Sequence, residues 1–545
     1  MAIRTGKVIL ASAMKLDEDY KNVLDYSEAN MVTLVNNNKI AEFTDCSFIK
    51  PSENIIQVDC PYGTAIRANY LAFENPDYSN KWFFAFIDDI EYVSEKTSKI
   101  YFTIDEFSTW HDYWTVSKCF VEREHTNDDT VGANLMPENL ETGEYYCNSY
   151  YRDTTMDNYA SDLCFIMAST SEPVAGEAKD TVAGSAIYNG IYTGLTYYRY
   201  DVTSAIDILL EIFANYAKTS AINGIFMAPK WLAPLDPNSL LREVQESNSP
   251  STFNITVTKQ TTLNSYTPVN NKLKCFPYNY LLLSNNIGQN IILHYEKFSG
   301  TNATFTVRGV LNPGCSIQIV PTNYNGCATS ENDSIQLGKF PICNFQNDMY
   351  TNWLTQNSIN VLGQTITSDD LNIAGSAIGG VASTATNLAT GNYLGAGLSG
   401  AGMFSSIASA VMQKKQHNMI TPTITGQLNS ADVNVASGNN TFHFYKMSVK
   451  QEFAKMADSY FTMFGYATNQ LKVPNLTGRK YWNFVKISEG STIGHPIDTP
   501  IVFNRPISIP QKSLDLINNV FQRGVTIWHD YDYFENYSVN NIILT

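Results

Sequence analysis

The sequence predicts a mainly β protein with α+β insertions, divided into several domains. Tyrosine (33) and phenylalanine (28) are plentiful among its 545 residues, and aromatic residues favour strands. A chain of this length exceeds the roughly 250–300 residues that one hydrophobic core serves. The third observation is a long apolar segment, residues 371–413, which has no charged side chain and no proline in an otherwise polar, acidic chain.

The first part of the chain, up to about residue 118, is predicted to form short strands separated by polar turns. An apolar run at 8–14 is followed directly by charged residues without a clear cleavage site, so we expect a first strand rather than an export signal. The remaining strands are expected at 31–35, 55–58, 82–87 and 100–104, with turns at 36–38 and around 75–77.

Helical spacing appears in the middle of the chain. Apolar residues recur every three or four positions over 203–218, and Gly224 and Pro229 then predict a stop. Residues 250–345 return to a strand pattern, with a hairpin turn predicted at 312–314.

Two more helices are predicted near the C-terminal end. Ser448 followed by Gln451 has the form of a capping box, and Gly465 would end that helix. Its expected apolar face consists of Val449, Phe453, Met456, Tyr460 and Phe464. The last helix is expected to run from a Ser513 cap to Gly524, because glycine commonly follows the end of a helix.

The tetrapeptide Trp-His-Asp-Tyr occurs twice, at 110–113 and at 528–531. A few four-residue matches arise by chance in a chain of this length. The repeat is therefore weak evidence for a duplicated domain.

Charge and cysteine content restrict the classes of function. The formal net charge of −16 argues against a basic nucleic-acid groove, because phosphate binding needs clustered lysine and arginine. An acidic wall is compatible with a channel through which DNA slides. Nine cysteines at irregular spacing, without a CxxC pair, predict reduced and mostly buried thiols rather than a disulfide framework.

No motif for catalysis, metal binding or cofactor binding is found, so no cofactor and no metal site is predicted. Glu122 and Glu124 would share one face of a strand, as the carboxylates of a cell-wall hydrolase could. Cys119 and His125 could be named nucleophile and base. We favour a structural role for both pairs, because nearby basic residues offset the carboxylates and a lone cysteine near a histidine is usually structural.

The predicted function depends on how the apolar segment 371–413 is interpreted. It lies between two aspartates, Asp369 and Asp370, and two lysines, Lys414 and Lys415. Its glycines and serines favour a flexible linker, but a solvated linker would expose many large apolar residues. The apolar residues that argue against a linker are Ile373, Ile378, Val381, Leu388, Leu394, Leu398, Met403, Phe404, Ile407 and Val411.

We therefore predict a membrane-active hairpin. Each half, 371–389 and 393–413, approaches the ~20 residues that cross a bilayer as a helix, and Thr390, Gly391 and Asn392 can form the turn between them. About ten large aliphatic residues favour insertion by roughly 3–6 kcal/mol in total, before the polar residues subtract. One copy is marginal, so the arithmetic favours an oligomer that hides several copies until they insert together.

In its order of fragments the chain resembles the distal tail tube, or tail knob, proteins of small short-tailed bacteriophages of the phi-29-like kind. The N-terminal fragments that carry the resemblance are 16–17 with 20–24, 68–71, 81–87, 104–110 and 120–125. The fragments after the apolar segment are 458–466, 473–475, 479–486, and 521–529 with Tyr537.

The resemblance implies a hexameric tube at the tip of a virus tail, built around tail-tube-like β-barrel domains that assemble into a ring. It implies that the apolar segments plug the lumen and leave it to meet the host membrane during DNA delivery. The implied partners are copies of the same chain, the upper tail tube or collar, the host membrane, and viral DNA that passes without sequence-specific binding. The implied location is the distal end of the virion tail, after assembly in the host cytoplasm.

With this resemblance we divide the chain into five parts. The expected parts are an N-terminal β tube domain (1–160), an α+β segment with the helix near 203–218 (161–250), a β-rich domain (251–345), a connecting region with the membrane-active loop (346–447) and a C-terminal α+β part of the tube (448–545). Three alternatives remain at this point: a receptor-binding or shell-type virion protein, a tail-borne hydrolase acting through Glu122 and Glu124, and a cellular pore-forming toxin.

Overall fold

A computed structural model describes most of the chain outside the apolar segment. The described residues are 6–46, 48–50, 54–156, 161–170, 186–201, 222–286, 288–312, 315–325, 335–336, 340, 342–344, 441–488, 501–503 and 509–544. The predicted helix at 203–218 and the predicted membrane-active segment 371–413 lie outside these residues.

The described strands are numbered in chain order. The first ten are β1 Gly6–Ala11, β2 Asn22–Leu24, β3 Lys39–Cys46, β4 Phe48–Lys50, β5 Ile55–Val58, β6 Tyr70–Asn75, β7 Lys81–Ser94, β8 Thr97–Ile104, β9 Trp114–Val116 and β10 Cys119–Glu124. The next fourteen are β11 Tyr145–Arg152, β12 Leu163–Ser169, β13 Ile187–Tyr188, β14 Ile191–Tyr192, β15 Thr196–Tyr200, β16 Ile222–Pro229, β17 Ser251–Thr258, β18 Asn279–Ser284, β19 Asn290–His294, β20 Asn302–Val310, β21 Ser316–Pro321, β22 Ile335–Gln336, β23 Ile342–Asn344 and β24 His443–Val449. The last four are β25 Tyr466–Lys472, β26 Trp482–Ser488, β27 Ile501–Phe503 and β28 Val525–Trp528.

Strands outnumber helices among the described residues, which confirms the mainly β class. The described α-helices are α1 Glu28–Asn37, α2 Tyr62–Ala65, α3 Glu106–Trp110, α4 Gln451–Phe464 and α5 Gln511–Arg523. The chain forms two compact units. Unit 1 comprises Met1–Glu141, Pro268–Leu273 and Glu452–Thr545, and unit 2 comprises Thr142–Thr267 and Lys274–Gln451.

Unit 1 contains a strongly curved seven-stranded sheet in the order β3-β1-β6-β7-β8-β5-β4. Its two outermost strands, β3 and β4, are neighbours in sequence, because only residue 47 separates Cys46 from Phe48. Two residues of chain span at most about 7 Å. The ends of the two edge strands are therefore brought together, and the sheet bends as a barrel does.

A second sheet of unit 1 joins segments from both ends of the chain. Its order is β2-β28-β26-β10-β25, with β2 parallel to β28 and the other pairs antiparallel. Both sheets contribute to one apolar core. Ile9 and Phe84 enter this core from the curved sheet, and Val121, Val485 and Trp528 enter it from the second sheet.

Unit 2 contains three four-stranded sheets around a separate apolar core. Their orders are β11-β24-β18-β19, β15-β12-β16-β23 and β17-β20-β21-β22. Each sheet supplies fully buried side chains, among them Leu281, Ile166 and Phe305. The ring of Phe305 lies 5.1 Å from that of Phe444, so aromatic contacts join two of these sheets.

Most strand predictions are confirmed. Strand β1 covers most of the apolar run at 8–14, while the predictions at 55–58, 82–87 and 100–104 fall in β5, β7 and β8. The hairpin predicted around 312–314 is flanked by β20 and β21, which pair from Val310 with Ser316.

The strand predicted at 31–35 is wrong, because these residues lie in helix α1. Ser27 caps the helix by accepting a hydrogen bond from the backbone N–H of Asn30. The buried residues Met31, Leu34 and Val35 follow helical spacing. The β-branched residues that suggested a strand therefore lie on a helix whose buried face packs in the core.

The helix predicted after Ser448 exists, but its cap and its buried face were wrong. Ser448 lies at the end of β24, where its hydroxyl accepts a hydrogen bond from Asn148 Nδ2 (2.8 Å). The residues of α4 that are buried are Ala454, Ala457, Asp458 and Phe461, whereas Met456 is exposed. The face that turns inward therefore includes a carboxylate, Asp458, whose hydrogen-bond partners lie on another segment.

The last predicted helix also exists with a different start. Helix α5 begins after Pro510, and the Ser513 hydroxyl, expected to cap it, instead hydrogen-bonds to Glu106. The predicted end is confirmed, because Gly524 has φ of 93° and its N–H bonds to the carbonyl of Phe521. Only glycine adopts such a backbone conformation at little cost.

Candidate functional site

The predicted membrane-active residues lie outside the described residues, but the structure describes the elements from which this segment emerges. Residues 345–440 connect β23 with β24, and both strands belong to unit 2. We call the two points where this segment joins the strands its roots, the N-terminal root at β23 and the C-terminal root at β24. At the C-terminal root, Thr441 and Phe442 are fully buried. The Thr441 hydroxyl donates to the carbonyl of Asp153 (2.7 Å), and the N–H of Asp153 donates to the carbonyl of Phe442 (3.1 Å).

The two roots differ in how firmly the sheet holds them. Strand β24 has seven residues and pairs with β11 on one side and β18 on the other. Strand β23 has three residues and pairs with β16, at the edge of its sheet as far as the described strands extend. Since each ladder position adds backbone hydrogen bonds, the C-terminal root is the stronger attachment.

The glutamate pair considered for hydrolysis is not brought together. A β-bulge between Val121 and Arg123 changes the alternation of β10, so the two side chains do not share one face. Glu122 pairs with Lys486 (2.7 Å), and the buried Glu124 pairs with Lys472 and accepts a hydrogen bond from the backbone N–H of Asn475. Each carboxylate is therefore used by a separate structural contact.

The pair formed by Cys119 and His125 is structural as well. Burial raises the pKa of the Cys119 thiol to about 11, so the thiol stays protonated near neutral pH. Burial, with a smaller contribution from Arg479, lowers the pKa of His125 to about 3. The neutral His125 ring accepts a hydrogen bond from the backbone N–H of Phe484 at Nδ1 (2.8 Å) and faces the carbonyl of Thr462 at Nε2 (3.0 Å).

Unit 1 also contains an open cavity of about 480 Å³. Its lining includes four charged residues and two aromatic residues on α4: Glu122, Arg123, Glu138, Lys486, Tyr460 and Phe464. The charged members are already paired with one another, since Lys486 binds Glu122 and Arg123 binds Glu138. A ligand would therefore compete with existing ion pairs.

Sequence reasoning missed a buried ionic cluster beside this cavity. The side chain of Glu138 is 1% exposed and binds Lys272 (2.5 Å) and Arg123. It also accepts a hydrogen bond from the backbone N–H of Ala467 (2.9 Å). No local sequence pattern predicts this cluster, because its members lie far apart in sequence.

Other expectations concern cysteines, metals and membrane spans. Seven cysteines have described side chains; none of these seven forms a disulfide bond, and all except Cys147 are buried. Within the described ranges, no group of three or more histidine, cysteine, aspartate or glutamate side chains is arranged to hold a metal ion. None of the helices that the structure describes is long and apolar enough to cross a membrane.

Comparisons with known proteins match almost the whole chain. A family model described as the C-terminal domain of the tail knob protein gp9 of Bacillus phage phi29 matches residues 242–542, and a model for the N-terminus of caudoviral major tail proteins matches residues 4–115. The tail knob protein gp9 of Bacillus phage phi29 is 25% identical, and that of Bacillus phage B103 is 23% identical; each alignment covers 98% of both chains.

The fold has a solved counterpart in the structure of the bacteriophage C1 tail knob protein gp12. It superposes with a TM-score of 0.62 at 15% identity and covers 99% of this chain and 100% of that chain. At this identity the similarity concerns the fold alone.

Proposed function

This chain belongs to the tail knob protein family that includes gp9 of Bacillus phage phi29, and from that premise we propose that it builds the distal tube of a short-tailed phage tail and plugs that tube with its apolar segment. It is a structural component of a phage tail, and its relatives are named as tail knob proteins. The plug and the membrane step are our proposal.

The position of the family matches supports the tube. The match to tail protein N-termini, residues 4–115, coincides with the strongly curved sheet of unit 1. A sheet whose edge strands are joined by one residue suits a barrel that can be repeated around a ring. We propose a homo-hexamer at the distal end of the tail, assembled in the host cytoplasm and joined to the upper tail tube or collar.

The single observation that supports the proposed plug is the uncharged segment 371–413 within a chain of net charge −16. A closed ring would hold several copies of the segment facing one another and away from water. Because one copy inserts only marginally, the joint release of several copies would favour entry into lipid. The acidic balance suits a lumen through which viral DNA slides without binding.

The different strengths of the two attachments, β23 and β24, suggest how the segment leaves the lumen. A pull on the segment would load both strands, and the three-residue β23 has fewer backbone hydrogen bonds to resist it than the seven-residue β24, which pairs on both sides. We therefore propose that β23 yields first and that β24 remains as the tether. The buried Thr441 and Phe442 would keep that tether attached.

The test replaces residues 371–413 with a Gly-Ser linker of equal length and measures dye release from liposomes. We expect the wild-type protein to release dye and the variant to release little, while electron microscopy shows the same rings for both. A matched variant with Leu394→Asp and Leu398→Asp keeps the length and most of the composition, and it should also lose dye release. Equal leakage by the wild type and the linker variant would refute the membrane role.

A further inference from the structure

The two Trp-His-Asp-Tyr copies converge on one carboxylate within unit 1. His111 Nε2 lies 2.9 Å from Asp25 Oδ1, and His529 Nδ1 lies 3.0 Å from Asp25 Oδ2. The two histidines are separated by more than four hundred positions in sequence, yet each occupies one oxygen of the same side chain. Asp25 and both histidines are only partly exposed, so water competes weakly for these contacts.

The copy at 528–531 also holds the backbone and neighbours of Asp25. The N–H of Asp25 donates to the carbonyl of Trp528 (2.8 Å), and the indole N–H of Trp528 donates to Asn22 Oδ1 (2.9 Å). The N–H of Tyr531 donates to the hydroxyl of Tyr26 (3.0 Å). One side of the segment 22–28 is thus bound to the C-terminal copy.

The copy at 110–113 holds the other side of the same segment. Asp112 Oδ2 accepts a hydrogen bond from the N–H of Glu28 (2.8 Å). The carboxylate of Glu28 pairs with the buried ammonium of Lys81 (2.8 Å), which lies over the ring of Tyr113 at 4.4 Å from its centroid. Residues of both copies therefore contact the connection between β2 and α1.

We propose that the repeated motif is a two-sided clasp, which ties the segment 22–28 to residues 110–113 on one side and to residues 528–531 on the other, and which opens when His111 loses its second ring proton. The clasp consists of Asp25, His111, His529 and Asp112. The clasp makes the attachment of the segment 22–28 to the rest of unit 1 depend on pH, and this segment is the part that is released.

The hydrogen-bond geometry supports this dependence. Both ring nitrogens of His111 face carboxylates, Asp25 at 2.9 Å and Asp112 at 3.5 Å. The nitrogens of His529 face Asp25 and Asn483 Oδ1 (3.0 Å). Asn483 Oδ1 also accepts a hydrogen bond from the N–H of Arg479, so it acts as an acceptor toward the histidine. Such surroundings satisfy a ring that carries two N–H groups.

The charged groups around the clasp also favour a protonated His111 and an ionised Asp25. Burial alone would lower the pKa of His111, but hydrogen bonds to Asp112 and Asp25 outweigh it and raise the pKa to about 9. Burial alone would raise the pKa of Asp25, but hydrogen bonds from His111 and His529 hold it well below its usual range. The hydrogen bond to His111 lowers the pKa of Asp112, and the charge of the nearby Lys81 lowers it further.

The test uses hydrogen–deuterium exchange of the full chain at pH 6.0, 7.5 and 9.5, with labelling times scaled for the intrinsic exchange rate. Peptides that cover 22–28 and 525–531 report the clasp, and a peptide that covers Ser251–Thr258 of β17 serves as reference because it has no titratable side chain. We expect protection of the clasp peptides to fall at least tenfold relative to the reference between pH 6.0 and 9.5.

The control variants separate the clasp from general loosening. Asp25→Asn should remove the pH dependence of the clasp peptides, whereas His294→Gln, which alters a histidine of unit 2, should leave it intact. If Asp25→Asn does not fold, His111→Gln takes its place and should also remove the dependence. A constant ratio of protection in the wild-type chain across the three pH values would overturn the proposal without any variant.

Discussion

The two units bury charge differently. Unit 1 encloses several carboxylates, each with a partner from a distant part of the chain. Its most buried examples are Asp105, Glu124, Glu138 and Asp458. Unit 2 is built around apolar and aromatic side chains, and buried carboxylates are fewer among its described residues, with Asp153 and Glu296 as examples.

The difference shows what each kind of burial provides. Apolar burial supplies free energy in proportion to area and does not depend on pH. A buried ion pair contributes little net free energy, but the loss of one partner leaves the other charge unpaired and is costly. A buried carboxylate can also be satisfied without a cation, since that of Asp458 accepts hydrogen bonds from the N–H groups of Val269 and Asn270 and so fixes a separate segment.

The largest effect is expected in the apolar core of unit 2. Phe305→Ala removes a fully buried ring that contacts Phe298 and Phe444, and should lower the free energy of unfolding by about 4 kcal/mol through lost burial and a cavity. Urea unfolding at pH 6 and pH 9 should give the same loss. A loss that changes with pH would contradict the apolar character of this core.

A somewhat smaller loss is expected in the ionic cluster of unit 1. Glu138→Gln leaves the ammonium of Lys272, which is 5% exposed, without its negative partner, and should cost about 3 kcal/mol. The double variant Glu138→Gln with Lys272→Met should recover part of this loss, because the more deeply buried cation is then removed and only the Arg123 guanidinium still faces the glutamine. If the double variant is less stable than the single one, the pair is not the source of the effect.

The response to pH separates the two units further. The pKa of His111 is raised from an ordinary 6.5 to about 9, so its contribution is complete below pH 6.5 and is lost as pH rises through 9. We expect unit 1 to lose about 2 kcal/mol between pH 6.5 and 9.5 after allowance for partial exposure. Exchange measured on peptides from each unit should show the loss in unit 1, and an equal loss in both units would contradict the comparison.

The smallest effect is expected at the end of helix α5. Gly524→Ala places a Cβ 2.8 Å from the Phe484 ring at a φ of 93°, and should cost about 1–2 kcal/mol. Gly63→Ala in unit 1 is the matched control, because nothing lies within 4 Å of its added Cβ. The melting temperature should fall for the first variant and stay nearly constant for the second.

Local patterns predicted much of the fold. The strands at 55–58, 82–87 and 100–104 follow from aromatic and β-branched residues, and the end of α5 follows from Gly524. Their signals lie within a few residues of one another, so a single sequence displays them. The uncharged segment 371–413 is also visible in sequence, and its role as a plug remains a proposal.

The patterns that misled were those in which a distant partner decided the outcome. Residues 31–35 have strand-forming side chains but form a helix that buries Met31, Leu34 and Val35 in the core of unit 1. Helix α4 turns Asp458 inward, where the N–H groups of Val269 and Asn270 bind it. The glutamates of β10 were separated by a bulge that no propensity announces. In each case tertiary contacts outweighed a local preference of a few tenths of a kcal/mol.

By itself the amino-acid sequence determined the β-rich class, the reduced cysteines as an expectation, and the family through the order of its fragments. Only the tertiary structure decided that His111 and His529 bind the same carboxylate and that Glu138 holds Lys272. The physical reason is range: strand and helix preferences act between neighbours, whereas buried charges need partners that only the folded chain brings within 3 Å.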